Sequence, residues 1–279
     1  MITKPAAYTP ADVELSLRQM RAAWRLMCAP SPEYIFQTDA GTDYIFSGRP
    51  IPFFNIALLN QLRISAADLR RLGESACRWA ADRNVPWLFV VTVDNLIPGY
   101  DPTEVLEGCG LAPIMPLTGM LAEHVAPASR HPVGLQCTPP STDAACAAIL
   151  NINSAAYGMD LSAGKDVIGS VAFWRDHFPM VGHLADQPVS CASVVMAEGY
   201  RYVAMVATDP SQLRRGFADT VMRTALENAA RVHGECPSVL HATAAGQRVY
   251  EQMGYRPISQ QITFAEKRFL PPAHAHSPA

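Results

Sequence analysis

The chain has 279 residues, of which 49% are hydrophobic and 17% are charged, and this composition predicts a folded protein with a sizeable core. Its net charge is −3 and its isoelectric point is near 6.2, which argues against a dedicated nucleic-acid binder. The sequence shows no apolar run long enough to span a membrane and no signal-peptide pattern at its start, so a cytoplasmic protein is expected.

The first half is predicted to contain a helix, three strands, a helix, a strand, a short helix and a last strand. These elements cover residues 11–28, 34–38, 44–46, 53–59, 65–83, 87–93 and 103–109, followed by a strand that ends at Leu121. Residues 126–132 look like a linker. The predicted domains are therefore 1–125 and 126–269, with a disordered tail over 270–279.

The second half is predicted to begin with a strand over 134–138 and helices over 142–157 and 167–178. It then repeats the order of the first half, with three strands, a helix, a strand, a helix and a strand. Overlaying the halves aligns Gly110 with Gly254. An internal repeat of this length indicates two lobes of similar fold.

The most informative stretch runs from Tyr200 to Asp219. An apolar strand over 203–207 is followed by a turn, by Arg214-Arg215-Gly216 and by an amphipathic helix that Gly234 ends. A strand that turns through a glycine-containing loop into a helix presents unpaired backbone N–H groups, which suit a phosphate or pyrophosphate. Gly216 has no Cβ and lets an anion approach the backbone.

A second stretch, residues 240–256, reads as a strand, a Thr243 helix cap, a helix with Tyr250 and a stop at Gly254-Tyr255. Together the two stretches resemble the GNAT acetyltransferase superfamily, and the resemblance covers residues 135–265. One position departs from the family's loop pattern of Arg/Gln-x-x-Gly-x-Gly/Ala, because Leu213 stands first. The resemblance implies a mixed α/β fold with two GNAT-like lobes, each a mixed β-sheet flanked by helices.

The resemblance also implies that acetyl-CoA is the co-substrate and that an amine is acetylated. In this family the pantetheine arm pairs with the strand before the loop, and a backbone N–H near Val206 can stabilise the oxyanion. The implied cofactor-binding residues are Val206, Ala207, Thr208, Arg214, Arg215, Gly216, Phe217, Ala218 and Asp219.

The implied catalytic residue is Tyr250, as the acid that protonates the departing thiolate. A phenol has an ordinary pKa of about 10 and a thiol of about 8.5, so this proton transfer is mildly uphill. The alternative is a tyrosine that only packs at a helix end. Thr243 is expected to cap its helix rather than to bind a ligand.

No general base is evident, because residues 201–207 contain no carboxylate. Glu198, Asp160, His183 and Asp186 lie in segments that could face the acceptor, but each is expected to be a surface or turn residue, and none of them is chosen as the base. A water relay, or an amine that arrives already neutral, stays open. Tyr157 and Trp174 are candidates for the wall of an acceptor pocket or for core packing.

The first half resembles a GNAT-like lobe that lacks the glycine-containing loop for a phosphate. Leu106 stands at the position that corresponds to Tyr250, and the loop over 60–65 has no glycine. Tandem GNAT proteins with one competent lobe share this arrangement.

The predicted function is an N-acetyltransferase that acts on an amine of a small molecule or amino-acid derivative. The alternative is a non-catalytic acetyl-CoA-binding module. A nucleotide-binding ATPase or dehydrogenase is disfavoured, because neither glycine motif is present. We expect no metal, since the cysteines and histidines show no ligand spacing. We also expect no nucleic-acid or membrane partner, and a homodimer is compatible with the sequence.

Overall fold

The computed structural model describes residues 8–128, 132–159 and 161–270. The elements of the first half are α1 (Pro10–Cys28), β1 (Ile35–Asp39), β2 (Thr42–Phe46), β3 (Asn55–Leu59), α2 (Ala66–Ala80), β4 (Leu88–Thr92), α3 (Pro102–Glu107) and β5 (Leu111–Ala122). Those of the second half are β6 (Leu135–Thr138), α4 (Asp143–Tyr157), α5 (Val171–Trp174), β7 (Phe178–Leu184), β8 (Gln187–Ala197), β9 (Tyr200–Thr208), α6 (Phe217–His233), β10 (Ser238–Ala242), α7 (Ala244–Gln252) and β11 (Arg256–Glu266).

The predicted repeat is confirmed. Each half contains three strands, a helix, a strand, a helix and a final strand, in that order. The two short helices, α3 and α7, end alike: Gly110 and Gly254 have φ values of 84° and 91°, and each amide donates to a carbonyl three residues back. Glycine adopts this left-handed backbone without a steric penalty, so it stops both helices in the same way.

All the described strands form one sheet of mixed direction, in the order β1-β2-β3-β4-β11-β5-β10-β9-β8-β7-β6. The last strands of the two halves are exchanged, because β11 pairs with β4 of the first half and β5 pairs with β10 of the second. The two exchanged strands also pair with each other, antiparallel, along almost their whole length. The two predicted lobe sheets are therefore joined at β5 and β11.

The exchange is fixed at both ends by matching backbone hydrogen bonds. After β11, the amide of Lys267 donates to the carbonyl of Gly110 at 2.9 Å. After β5, the amide of Ala126 donates to the carbonyl of Met253 at 2.8 Å. Each exchanged strand thus ends against the short helix of the other half.

The sheet has two faces, and we call the one that carries α1, α4 and α5 the first face. Its core joins side chains of both halves, such as Ile45 on β2 and Val239 on β10, under Met20 and Met27 of α1. The second face has two separate cores, one beneath α2 and α3 and the other beneath α6 and α7. Helix α1 therefore packs against strands of both halves on the first face.

One predicted element is wrong. The helix expected over 167–178 is reduced to four residues of α5, Val171–Trp174. The Ser170 side chain accepts a hydrogen bond from the Phe173 amide and starts this turn, while Phe178 is already paired with Val194 in the sheet. Trp174 is 3% exposed and its indole N–H donates to the Ile168 carbonyl at 2.7 Å, so it packs in the core.

Candidate active site

The central feature is an opening in the sheet between β9 and β10. These parallel strands pair over only three positions, the last of which is Val203 with Leu240. Strand β9 continues to Thr208, but from Ala204 onward its edge towards β10 has no strand partner among the described residues. We call this opening the gap. Three of the predicted cofactor residues, Val206, Ala207 and Thr208, lie on the β9 side of it.

A β-bulge bends β9 at the start of the gap. Ala204 pairs with Ser193 and Ala207 pairs with Cys191, so two residues of β9 face one residue of β8. Within the bulge, Met205 has a φ of 54°. A left-handed conformation at a residue other than glycine costs roughly 1–2 kcal/mol and is frequent at functional sites. The thiol of Cys191 donates to the Met205 carbonyl at 3.3 Å and supports the bulge.

The cradle loop, residues 209–216, joins β9 to α6. It begins with the Asp209 carboxylate, which accepts from the Ser211 amide at 2.8 Å, and it ends at Gly216, the N-cap of α6, with a φ of 81°. Among the described residues, the backbone amides from Leu213 to Asp219 find no hydrogen-bond acceptor. Seven unpaired amides at the start of a 17-residue helix make a site suited to an anion.

Gly216 leaves this site open to a ligand. The nearest described atom to the place of an added Cβ is Cγ of Pro132, at 3.5 Å. A side chain at this position would be strained by the positive φ and would also occupy the space in front of the amides.

The charged side chains of the loop have different surroundings. Arg214 is exposed, with a φ of 62°, and Arg215 stacks over the Phe217 ring at 4.7 Å and donates to the Gln212 side chain. The Phe217 ring is buried. Asp219 forms an ion pair with Arg223 at 3.0 Å, which offsets its negative charge near the helix start. Ala218, which is half-buried, lies between Phe217 and Asp219 in the first turn of α6.

Tyr250 lies on α7, on the second face of the sheet, and is 9% exposed. Its ring packs edge-on against Tyr255 at 6.1 Å, and its hydroxyl has no hydrogen-bond partner among the described residues. Burial, followed by the nearby phenols of Tyr157 and Tyr255, raises the pKa of Tyr250 well above its usual value. The phenol is therefore held protonated. The predicted cap Thr243 precedes α7, but its side chain accepts no helix amide.

Tyr157 ends α4 on the first face and is 41% exposed. Burial raises its pKa, with a further contribution from Cys191 of β8. A charge on the Tyr157 phenol also raises the pKa of Tyr250, although α4 and α7 lie on opposite faces of the sheet.

A buried chain of hydroxyl groups, which the sequence analysis missed, borders the gap on the first face. His241 is the first residue of β10 beyond the last pair with β9; its Nδ1 lies 2.7 Å from the hydroxyl of Tyr202, and its Nε2 lies 2.9 Å from the hydroxyl of Ser16 on α1. Ser16 in turn lies 2.7 Å from the hydroxyl of Ser259 on β11. We call these four residues the hydroxyl network. Burial lowers the pKa of His241 to about 3, so its imidazole is neutral.

Gly119 of β5 makes room for the hydroxyl network. It pairs with both His241 and Ser259, and an added Cβ would overlap the hydroxyls of Ser16 and Ser259. The one local sign of this cluster in the sequence is a histidine at the end of a predicted strand. Its partner Ser16 is 225 positions away, which is why the network was not predicted.

The described candidate bases, Glu198, Asp186 and His183, are not on the two strands that border the gap. Glu198 pairs with Arg18 at 3.4 Å at the far end of β9. Asp186 is exposed on the turn between β7 and β8, and His183 pairs with Pro188 in the sheet beside it. Asp160 lies outside the described residues.

The first half has no equivalent of the cradle loop in its described structure. Six residues join β3 to α2, two fewer than join β9 to α6. Ile64 is buried, its amide donates to the Asn95 carbonyl and its carbonyl accepts from Ile97, both at 2.9 Å. Leu106, which aligns with Tyr250, is fully buried in the core beneath α2 and α3.

Two surface cavities lie away from the gap. One, of about 900 Å³, is at the start of α4 beside residues 162–170, and the other, of about 510 Å³, lies between residues 124–128 and α6. Across the part of the chain that the structure describes, no cluster of side chains has the composition of a metal site. No described helix is long and apolar enough to cross a membrane.

Comparisons with known proteins agree with this geometry. Residues 175–272 match the family model described as an acetyltransferase (GNAT) domain, whereas no curated protein sequence matches the chain. A GCN5-related N-acetyltransferase from Kribbella flavida is 17% identical, with a TM-score of 0.66, over 93% of this chain and 96% of that chain.

Two further solved structures have similar folds. A conserved protein of unknown function from Staphylococcus epidermidis has a TM-score of 0.62 at 12% identity, over 84% of this chain and 94% of that chain. A GCN5-related N-acetyltransferase from Sphaerobacter thermophilus has a TM-score of 0.52 at 12% identity, over 93% of this chain and 94% of that chain. The chain therefore has the fold of these GNAT neighbours, and its residues 175–272 match the GNAT acetyltransferase family model.

Proposed function

We propose that the protein is an N-acetyltransferase that transfers an acetyl group from acetyl-CoA to an amine of a small molecule or amino-acid derivative. The observation that carries this proposal is the combination of three features: a strand edge left unpaired at the gap, a loop of unpaired amides directly after it, and the Tyr250 phenol in the same second-face core as Val206 of that strand. A CoA thioester can use the strand edge for its pantetheine arm, the amides for its pyrophosphate and the phenol as proton donor to its sulfur.

The residues fit acetyl-CoA chemically. The open edge of β9 at Val206, Ala207 and Thr208 offers backbone groups to the pantetheine amides, as an added strand would use them. The amides from Leu213 to Asp219 and the exposed Arg214 suit the pyrophosphate. When bound, acetyl-CoA supplies an activated acetyl group as a thioester.

Tyr250 is proposed as the proton donor to the leaving sulfur. Its raised pKa keeps the hydroxyl protonated, and no described residue accepts a hydrogen bond from it, which leaves the proton available for donation. The same burial makes a phenolate unfavourable, so the proton moves only as negative charge develops on sulfur beside it. We expect this assistance to be on the order of 100-fold.

We further propose that the chain has one competent and one degenerate GNAT-like lobe, with boundaries at 1–125 and 126–269. The short loop over 60–65 and the leucine at position 106 support the loss of the site in the first lobe. Because α1 and β5 of the first lobe complete the sheet and core around the gap, that lobe keeps a structural role. A cytoplasmic protein without nucleic-acid or membrane partners fits the acidic net charge.

A non-catalytic acetyl-CoA-binding module is the second candidate. It is favoured by the absence of any carboxylate on the gap strand, residues 200–208. Such a module would bind acetyl-CoA without turning it over.

The experiment that separates the two candidates combines calorimetry with acetyl-CoA and a thiol-release assay over a panel of amines. The transferase predicts binding and amine-dependent release of CoA. Binding without release for every amine would favour the module.

A further inference from the structure

The first turn of α6 carries a carboxylate beside the amides that are proposed to bind a pyrophosphate. Asp219 is the third residue of the helix, and its own backbone amide is one of the seven unpaired amides at the cradle loop. We infer that Arg223 is a positioning residue for this site, which holds the Asp219 side chain away from the amide of Gly216 and so keeps that amide free for a phosphate. This inference rests on the proposed function and adds a residue to its site.

Two other helices of the chain show what an aspartate does at this position. In α1 the third residue is Asp12, which accepts from the amide of the N-cap residue Thr9 at 2.9 Å and from its hydroxyl at 3.0 Å. In α2 the third residue is Asp68, which accepts from the hydroxyl of the N-cap residue Ser65 at 2.6 Å. An acidic side chain three residues after the N-cap therefore has the reach to fold back onto it, as in a capping box.

In α6 the carboxylate is turned the other way. Both oxygens of Asp219 accept from Nε of Arg223, at 3.1 and 3.0 Å, and the amide of the N-cap residue Gly216 finds no acceptor among the described residues. An acid followed four residues later by a base is the favourable order for a pair on a helix. The pair is also partly buried, with 20% of the Asp219 side chain and 13% of the Arg223 side chain exposed, so salt screens it less than a surface pair.

Arg223 is itself fixed by the segment that follows β5. Its Nη1 donates to the carbonyl of Ala126, and the amide of Ala126 donates to the carbonyl of Met253 at 2.8 Å. Residues 124–128 and Arg223 together line the cavity of about 510 Å³ beside α6. The guanidinium is therefore bonded on two sides, by Asp219 and by this segment. A planar fork that is held at two points fixes its partner more firmly than a single ammonium would.

The consequence of losing the guanidinium follows from the capped helices. Asp219 can then fold back onto the amide of Gly216, as the corresponding aspartate of α1 does onto its N-cap. An acceptor with a negative charge would stand where the pyrophosphate is proposed to bind, so the ligand would have to displace it and would be repelled by it. The loss falls on the binding of acetyl-CoA, and turnover at saturation is expected to change little.

The first measurement needs no cofactor. Arg223→Met removes the guanidinium and keeps a long side chain that favours a helix. In protein labelled with ¹⁵N-glycine, the Gly216 amide proton should move downfield in this variant, because it gains a charged acceptor, and should move back when Asp219→Ala is added. Arg231→Ala is the matched control, since Arg231 lies in the last turn of the same helix and donates to the Asn228 side chain at 2.7 Å. A Gly216 signal that is unchanged in Arg223→Met would overturn the inference.

Calorimetry with acetyl-CoA measures the effect on binding. Arg223→Met should weaken binding by about tenfold, with KM raised to match in a thiol-release assay. In the Asp219→Ala background, the same change should alter the affinity by no more than about twofold. Arg223→Lys should stay close to the wild-type affinity, because its ammonium can still pair with Asp219. An equal loss with and without the Asp219 carboxylate would show that Arg223 acts on the phosphates by another route, and the inference would be wrong.

Failure of the proposed function gives a different result. If the wild-type protein bound no acetyl-CoA, that function would be rejected. The Gly216 signals of the four proteins, wild type, the two single variants and the double variant, would still decide whether Arg223 holds Asp219 away from the helix start.

Discussion

The Nδ1 atom of His241 lies 2.7 Å from the hydroxyl of Tyr202, and this contact joins the two strands at the point where they separate. Tyr202 precedes the last β9–β10 pair and His241 follows it. Ser16 binds the other ring nitrogen from α1, so the first half of the chain holds the edge of the gap that lies in the second half.

This contact predicts how stability depends on pH. The pKa of His241 is lowered to about 3 in the folded protein, while an unfolded histidine titrates near 6.5. Between these values the unfolded state binds more protons, so folding stability should fall as the pH falls from 6.5 towards 3, by up to about 1.4 kcal/mol per pH unit from this residue. His241→Gln should flatten that dependence in urea titrations at pH 7 and pH 4.5. His124→Gln, at an exposed site, should leave the slope unchanged.

Gly216→Glu should abolish acetyl-CoA binding while the protein stays folded. The carboxylate would stand in front of the unpaired amides of the cradle loop and repel the pyrophosphate. Gly234→Glu is the matched control, because Gly234 ends the same helix with a φ of 82° and has open space around it. Calorimetry should give wild-type affinity for the control only. Equal affinity in both variants would remove the cradle loop from the site.

Each chain should bind one acetyl-CoA, in the second half. Two exposed leucines offer a direct comparison, since Leu213 lies in the cradle loop and Leu62 lies in the corresponding loop of the first half. Leu213→Glu should weaken binding by about tenfold through repulsion of the phosphates, and Leu62→Glu should have no effect. A stoichiometry of two by calorimetry, or weaker binding in the Leu62 variant, would show that the first half also holds a site.

Tyr250→Phe should reduce turnover by about 100-fold with little change in affinity for acetyl-CoA. The physical reason is that the variant keeps the ring packing and removes only the proton donor. Tyr255→Phe is the control, because it removes a buried hydroxyl that bonds Ser238 at 2.5 Å. That variant should lose stability but keep its rate per folded molecule. Wild-type turnover in the Tyr250 variant would assign Tyr250 to packing alone.

Gly119→Ala should destabilise the fold by about 1–3 kcal/mol, because the added methyl overlaps the hydroxyls of Ser16 and Ser259. Gly108→Ala serves as the comparison, since its Cβ would meet the end of the flexible Arg70 side chain at 3.0 Å and the Val105 carbonyl at an ordinary contact distance of 3.4 Å. Urea midpoints measure both. If the two variants were equally stable, the hydroxyl network would not be packed as tightly as described.

The sequence predicted the features that depend on neighbours along the chain. Hydrophobic periodicity and glycine stops are local, so the repeat and the helix ends at Gly110 and Gly254 were anticipated. The sequence also placed Gly216 at the start of α6. The helix over 167–178 failed because the sheet uses Phe178, a tertiary preference that overrides local propensity.

The features that were missed depend on contacts between distant residues. The strand exchange is decided by pairing β11 with β4 and β5, and no local pattern encodes that choice. The left-handed Met205 has no glycine or asparagine to mark it. The hydroxyl network needs side chains from α1, β9, β10 and β11 together, so it becomes visible only in the folded chain.

The position of β11 has a consequence for synthesis on the ribosome. Strand β4 pairs with β11, which begins at Arg256, and β5 pairs with the same strand along its other edge. Neither pairing can form until β11 has been synthesised. At about 5–20 residues per second, the roughly 170 residues between the end of β4 and the end of β11 take about 10–35 s to make. During that interval the nascent first half exposes two unpaired strand edges, which favour pairing with other chains. A stop codon before residue 256 would therefore leave the first half, as well as the second, without a complete sheet.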